Sequence, residues 1–363
     1  MRILHIDTGL EMRGGQEFLL LGARGLRKRG HEQIIACPEN SPLHQAATAE
    51  GYPTLPLPPR DRFYLPSAIR IRRFQRREFC QIVEAHDARA QTLAWLSTIG
   101  TPVCRIANRL VVFQPRNLAI HRWKYTRTCD HVIALSPAVR DTMVRNGVPG
   151  NRIEVIVGGM EFPEELPDPG ARSRMRAAWG LAAEHFVIGH VGAFTSEKGQ
   201  DLALDALLSL LPSHPHLRML LVGDGPLRQD SAMQAKVQAA GGRAQLPGYL
   251  KPPPEFYAGL DLFLINSHSE ALGLSAIYAM AYGLPVIASN VGGLPGVVAD
   301  GETGWLIPPG DSRSLAAAIV EAASDPVRLR QFGLAGRARA REFSSDRTAE
   351  KTEALYHRLL RES

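Results

Sequence analysis

The feature that most constrains this chain is an alternation, kept up almost throughout, of short apolar runs with segments of helical period. That rhythm is the mark of parallel strands joined by crossover helices. RILHID, QIIAC, CQIVEAH, PVCRIA, HVIALS and RIEVIV predict strands in the first half, and VIGHVG, RMLLVG, AQLPG, DLFLIN, PVIAS and GWLIPP in the second. Ser41-Pro42 and Ser136-Pro137 set a capping hydroxyl before a proline at the first helical position, and Gly30, Gly51 and Gly147 stand where helices should stop. Between the two series lies FPEELPDPG, residues 162–170, whose three prolines and acidic character suit a connection. The chain therefore reads as α/β, in two open units of similar size. A length of 363 residues agrees with about two domains.

In open parallel sheets ligands bind beyond the carboxyl ends of the strands, so the chemistry is expected there. One segment needs a specific account. After Glu270 no charged residue occurs until Asp300. Gly283, Pro285, Asn290, Gly292-Gly293 and Pro295 interrupt this run, so no unbroken helix of about 20 residues can cross a bilayer. It reads as a buried helix near 272–282 followed by the buried strand PVIAS, with Glu270 at the carboxyl end of strand DLFLIN.

Composition excludes several classes. Apolar content of 45% and charged content of 21% are those of a globular protein, not a disordered one. The start MRILHIDTG is strand-like and lacks an export signal, so a cytoplasmic address is expected, extended to peripheral placement on the inner face of the membrane. Cys37, Cys80, Cys104 and Cys129 form no C-x-x-C pair, so neither a disulfide framework nor a zinc site is indicated. Charge is uneven: residues 1–160 hold 23 Lys and Arg against 13 Asp and Glu, and the remainder 19 against 23. The excess gathers in RDRFYLPSAIRIRRFQRR, where Arg60, Arg62, Arg70, Arg72, Arg73, Arg76 and Arg77 face only Asp61. This stretch suits an anionic membrane surface, an acidic substrate or a nucleic acid, or else a solvated helix face. Nucleic acid is not expected, because no stacking platform accompanies the charge.

SHSE before a helix places an acid beside backbone N–H groups near Leu272, Gly273 and Leu274 that are free to bind an anion. Alone, this would be simple complementation of a helix N-terminus. Three other strand ends add to it: FTSEKGQ carries Lys198, MRGGQE carries Gly14 and Gly15, and VGDGP gives a third glycine turn. Lysine, glycine amides and helix N-termini are groups that hold a diphosphate.

The ordered set GGQEFLLLGARGLRKRGHE, HVIALSPAVRDTMVRNGVPGNRIEVIVGG, VGAFTSEKG, LLVGDGP, LPGYL, SHSEALGLSAIYAMAYGLPVIAS and NVGGLPGVVADGETGWLIPPGD resembles the retaining glycosyltransferases of family 4, over nearly the whole chain. The resemblance implies a GT-B fold, two facing Rossmann-like domains with a central cleft. Residues 1–163 would form the acceptor domain and 164–344 the nucleotide-sugar domain, with a helix at 345–363 packing back on the first. It implies that Glu270 accepts hydrogen bonds from donor-sugar hydroxyls. Lys198 and the amides near Leu274 would hold the diphosphate, with Leu272 and Gly273 beside them. Gly15 would permit close approach from the other domain, and Gly248, Tyr249 and Leu250 would border the base. The acceptor would meet Gln16, His86, Asn108 and Arg109. No metal and no cofactor is implied, since the nucleotide-sugar is a co-substrate; the acceptor would be a lipid-linked or cell-envelope glycan such as a lipopolysaccharide core.

Several positions depart from the family pattern. Tyr278 replaces a second glutamate that holds ribose hydroxyls, Ala193 an arginine before the lysine loop, and Gly296 the acid of a GG-x-P-E turn. Asn108 and Arg109 stand where a histidine often lies. These losses leave a second reading open, a GT-B protein that binds glycan or nucleotide without transfer. A third, an NAD-dependent oxidoreductase, is disfavoured because TGLEMRGGQE lacks G-x-G-x-x-G spacing.

Overall fold

The structure, a computed structural model, describes residues 1–58, 64–111, 115, 117–162, 166–250 and 252–362. Arg60, Asp61 and Arg62 of the basic stretch, the boundary expected at 163/164 and position 363 lie outside the described residues. In chain order the first elements are β1 (Arg2–Ile6), α1 (Gly14–Lys28), β2 (Glu32–Pro38), α2 (Pro42–Ala49), β3 (Thr54–Leu57), α3 (Leu65–Arg77), β4 (Ile82–Ala85), α4 (Ala88–Thr98), β5 (Cys104–Arg109), α5 (Leu118–Arg127), β6 (His131–Ala134), α6 (Pro137–Arg145) and β7 (Ile153–Val155). There follow α7 (Ala171–Ala178), β8 (Phe186–Val191), α8 (Gln200–Leu210), β9 (Leu217–Val222), α9 (Ser231–Ala239), β10 (Ala244–Gly248), α10 (Pro254–Gly259) and β11 (Leu262–Ile265). The chain closes with α11 (Leu274–Ala281), β12 (Val286–Ser289), α12 (Leu294–Val297), β13 (Gly304–Ile307), α13 (Ser312–Ser324), α14 (Pro326–Ala340) and α15 (Ser345–Glu362).

Two compact units result: residues 1–161 with 343–363, and residues 162–342. The first contains a seven-stranded sheet ordered β3-β2-β1-β4-β5-β6-β7, the second a six-stranded sheet ordered β10-β9-β8-β11-β12-β13. Every pairing between these strands is parallel, and helices cover the sheets. Each unit is thus a Rossmann-like sheet, as a GT-B fold requires. The strand order reverses between β1 and β4 in the first unit and between β8 and β11 in the second, so each sheet has one switch point.

The caps explain several helix starts. Ser41 accepts from the His44 amide and Ser136 from that of Val139, each ahead of its proline. The sequence reading missed β3, whose residues TLPL contain Pro56. Proline cannot donate to a ladder, and β3 survives because it lies at the sheet edge and pairs only with β2. All four cysteines are buried and unbridged.

Helix α15 belongs to the first unit. Ala349, Leu355 and Tyr356 pack with Ile3, Leu26, Ile82 and Ile106 in one buried cluster. Gly25 of α1 lies against it so closely that a Cβ there would meet Ala349 at 2.7 Å. Among the described residues no helix is long and apolar enough to cross a membrane.

Candidate functional site

In the second unit, the two strands that flank the switch point deliver the two residues singled out from sequence. Lys198 follows β8 and Glu270 follows β11. The Lys198 ammonium donates to Glu270 Oε2 at 2.6 Å, with both side chains partly buried. The loops carrying them are tied together by backbone. His268 N donates to Glu197 O at 2.7 Å, and Asn266 Nδ2 to Gly199 O at 2.6 Å. Gly199 has φ of 71°, and a Cβ there would collide with the Asn266 carbonyl, so only glycine fits.

A third loop closes on Glu270. Gly293 N donates to Glu270 O at 3.0 Å, and any side chain at Gly292, φ 59°, would strike that same carbonyl. The paired glycines after β12 therefore seat the Glu270 backbone. Gly273, φ 93°, is the N-cap of α11, whose opening turn leaves amide N–H groups without intrahelical acceptors. Leu274 is exposed at that helix start and Leu272 is buried beside it. Tyr278, half-buried, follows Leu274 by four residues and so shares its helix face. Ala193 is exposed, and a Cβ at Gly296 would meet nothing within 4 Å.

Gly248 ends β10 with φ of 89°, and its carbonyl accepts from Gly223 N at 2.9 Å. Tyr249 beyond it is 80% exposed, and Leu250 is partly exposed. β10 lies two strands from β8, about 10 Å along the same carboxyl rim. The lysine, the acid, the α11 amides and the Tyr249 ring thus share one edge of one sheet.

His190 was not anticipated. It is buried in β8 beneath the lysine loop, and burial pulls its pKa down to about 4. Neither ring nitrogen meets a partner in good hydrogen-bond geometry, although the Lys198 backbone lies near it. The only signal for it in the sequence is a histidine inside an otherwise apolar run.

The first unit has its own rim. The buried Asp7 carboxylate, just past β1, accepts from Gly9 N at 2.8 Å and from Gln16 Nε2 at 3.0 Å. Burial, set against these bonds, holds the Asp7 pKa above its ordinary value. Gln16 Oε1 in turn accepts from Arg13 N at 3.1 Å, so both ends of this amide brace the turn that begins α1. A Cβ on Gly9 would meet Gln16 at 2.5 Å, whereas one on Gly15 would meet only Leu110, at 3.3 Å. Asp87 caps α4 and also accepts from Thr8 N at 2.6 Å, joining the loops after β1 and β4.

His86 and Asn108 lie inward of this rim. Both are buried. His86 Nε2 is 3.0 Å from His5 Nδ1, whose other nitrogen is 2.7 Å from Gln33 Oε1. Glu84 sits at the centre of the group: His5 Nδ1 lies 3.4 Å away, and Asn108 Nδ2 and the Tyr356 hydroxyl of α15 both donate to the carboxylate. Burial opposes its charge, but the neighbouring histidines and these donors prevail and hold its pKa below the ordinary value. Burial lowers His86 to about 4. Arg109 ends β5 within electrostatic reach of His121, Lys124 and Tyr125.

Two groups among the described residues bring three ligand-type side chains together: His5, Glu84 and His86, and His31, Glu353 and His357. Hydrogen bonds engage the first group as described. In the second, His31 bonds Glu353 at 2.7 Å and the Met1 amino group at 3.1 Å. Of the basic stretch, Arg70, Arg73, Arg76 and Arg77 are exposed on α3, while Arg72 donates to the Ile99 carbonyl at 2.6 Å.

Residues 171–339 match the family described as glycosyl transferases group 1, and residues 12–161 match glycosyltransferase family 4. A D-inositol 3-phosphate glycosyltransferase of Rhodococcus opacus (strain B4) is 30% identical over 297 residues, 75% of this chain and 66% of its own length. The chain spans roughly half to two thirds of the length of most curated relatives it matches. Among solved structures, a glycosyltransferase from Rickettsia africae ESF-5 superposes with a TM-score of 0.90 at 20% identity, over 100% of this chain and 99% of its own. Anabaena Alr3699/HepE, solved in complex with UDP, does so with 0.87 at 21% identity, over 98% and 99%. These likenesses establish the fold. With both family matches falling in order on the two sheets, the chain belongs to the group 1, family 4 glycosyltransferases and has their GT-B type of fold.

Proposed function

We propose that this protein transfers a sugar from a nucleotide-sugar donor, with retention, to an anionic acceptor of the lipid-linked or cell-envelope glycan class. The observation that carries this reading is the Lys198–Glu270 pair at the switch point of the second unit. A lysine ammonium has three donors, so Lys198 can keep Glu270 and still give a hydrogen bond to a phosphate oxygen. Glu270, an acceptor at both oxygens, can take a sugar hydroxyl beside the lysine. Because the pair is neutral as a whole, attraction for a diphosphate rests on Lys198 reorienting and on the positive end of α11.

The transfer forms a bond from an acceptor oxygen to the anomeric carbon and breaks the bond from that carbon to the diphosphate. The acceptor hydroxyl proton leaves with the diphosphate oxygen. Charge grows on that oxygen in the transition state, where a fixed lysine and helix amides act most strongly. On this reading the cationic groups do the work of a metal, Tyr249 flanks the base, and Tyr278 offers one hydrogen bond to the ribose where a carboxylate could accept two.

Two relations support an anionic acceptor: the basic surplus of residues 1–160, and the inositol phosphate in the name of the Rhodococcus relative. Arg70, Arg73, Arg76 and Arg77 would draw the protein to an anionic membrane surface on the cytoplasmic side. The absence of carboxylates at Tyr278 and Gly296 favours the second reading, binding without transfer. A panel of UDP-, GDP-, ADP-, CMP- and dTDP-sugars separates the two. Thermal stabilisation by one donor together with donor turnover supports transfer; stabilisation with no turnover or hydrolysis for any donor supports binding alone.

A further inference from the structure

Apolar surface is unevenly distributed. Of fifteen large hydrophobic side chains exposed among the described residues, eight lie between Leu65 and Trp123. The same part of the chain, residues 65–127, holds twelve Lys and Arg against three acids. The two features meet on α5. Only His121 and Tyr125 of that helix are buried, one turn apart. At about 100° per residue, Trp123 stands roughly opposite this buried stripe. Leu118, Ile120 and Trp123 are half or more exposed, and Arg122 and Arg127 are exposed among them. The Trp95 ring of α4 meets Trp123 edge-on, at 5.6 Å between centroids and 84° between planes.

The helices around α5 extend this face. Lys124 of α5 donates to Ala88 O of α4 at 2.6 Å, and Arg72 of α3 to Ile99 O beyond α4, so α4 is tied to both its neighbours. Tryptophan and branched aliphatics interleaved with arginine suit the boundary between lipid headgroups and acyl chains. A protein groove could cover Leu118, Ile120 and Trp123, but it would leave the dense cationic flank without counter-charge. We infer that α5 seats the protein on a bilayer containing anionic phospholipid, with Trp123 and Ile120 entering the headgroup boundary and Arg122 and Arg127 meeting phosphates. The inference rests on the membrane part of the proposed function, and it moves the point of insertion from the α3 arginines to α5.

The test is flotation of the whole protein with phosphatidylcholine vesicles, with and without phosphatidylglycerol. The wild type should bind only the anionic vesicles. The double variant Ile120→Ser/Trp123→Ser should bind about tenfold more weakly at any salt concentration, with nucleotide binding and thermal unfolding unchanged. Quenching of tryptophan fluorescence by brominated lipid should be strong in the wild type and weaker in Trp123→Phe, a readout that does not need the double variant to fold. Double-variant binding equal to wild type, or a wild type that brominated lipid does not quench, would overturn the role of α5. If Arg73→Gln/Arg76→Gln/Arg77→Gln then loses binding, the α3 reading alone stands. No vesicle binding by the wild type sinks both. Concentration-dependent self-association that the double variant abolishes would assign the face to a second copy.

Discussion

Both sheets reverse strand order at one point, and at both points polar side chains gather, yet the two gatherings differ in kind. At the second unit's rim, Lys198 and Glu270 are partly exposed and held on glycine-bearing backbone. In the first unit, His5, Glu84, His86 and Asn108 are buried and bond one another, with Tyr356 reaching in from α15. The first unit's group is knitted into the core by its bonds, although His86 Nδ1 and Asn108 Oδ1 stay buried without a partner; at the second unit's rim the pair reaches solvent and Lys198 keeps donors to spare for a ligand. Burial is what separates the two gatherings: His86 and Asn108 are 8% and 7% exposed, whereas Lys198 and Glu270 reach solvent.

Deleting one member from each unit should separate the two roles most strongly. Glu270→Ala or Lys198→Ala should lower kcat/KM by roughly 10²–10³ with little change in Tm, as expected of a group acting on developing charge. Equal loss of Tm and activity would make the pair structural. Glu84→Ala should do the reverse. Leaving His5, Asn108 and Tyr356 without their shared acceptor should cost about 3 to 5 kcal/mol in denaturant unfolding, a large part of the stability of a domain.

A pH titration distinguishes the buried groups from one another. His190, with its pKa lowered from 6.5 to about 4, stays neutral in the folded unit while the unfolded chain takes up a proton between those values. Stability is therefore fully present above pH 6.5 and drains as pH falls toward 4, by about 3 kcal/mol at most for one such histidine. His190→Leu should flatten that slope in thermal melts from pH 7 to 5. The Glu84 contribution, from a lowered pKa, is present above the ordinary carboxylate value of 4.5 and fails only below it. The smallest expected effect is that of Tyr278→Phe. Loss of one neutral hydrogen bond should raise the donor KM about three- to tenfold; no change would remove Tyr278 from the donor site.

The sequence made much of this legible, for definite reasons. Strand periodicity located every strand except β3, four residues long and interrupted by Pro56. Lys198 and Glu270 could be found because each lies in the loop that follows an apolar strand, and those two strands are neighbours at the switch point. Glu84 could not. Its partners His5, Asn108 and Tyr356 are up to 272 residues away, and nothing local marks a contact across that separation. Gln16 stands at the rim as the sequence places it, but the bonds from its amide to Asp7 and from Arg13 N, which brace the start of α1, are visible only in the coordinates. The α5 face is hidden in the sequence because LAIHRWKYTR has no strong period.

Helix α15 carries a consequence for biosynthesis. Tyr356 and Leu355 complete a core begun by Ile3, yet they are translated only after all of residues 162–342. On the ribosome the later unit can therefore finish packing first. The earlier one must wait with a hydrophobic trough and an underserved Glu84 carboxylate, and in that interval a chaperone has an apolar surface to hold.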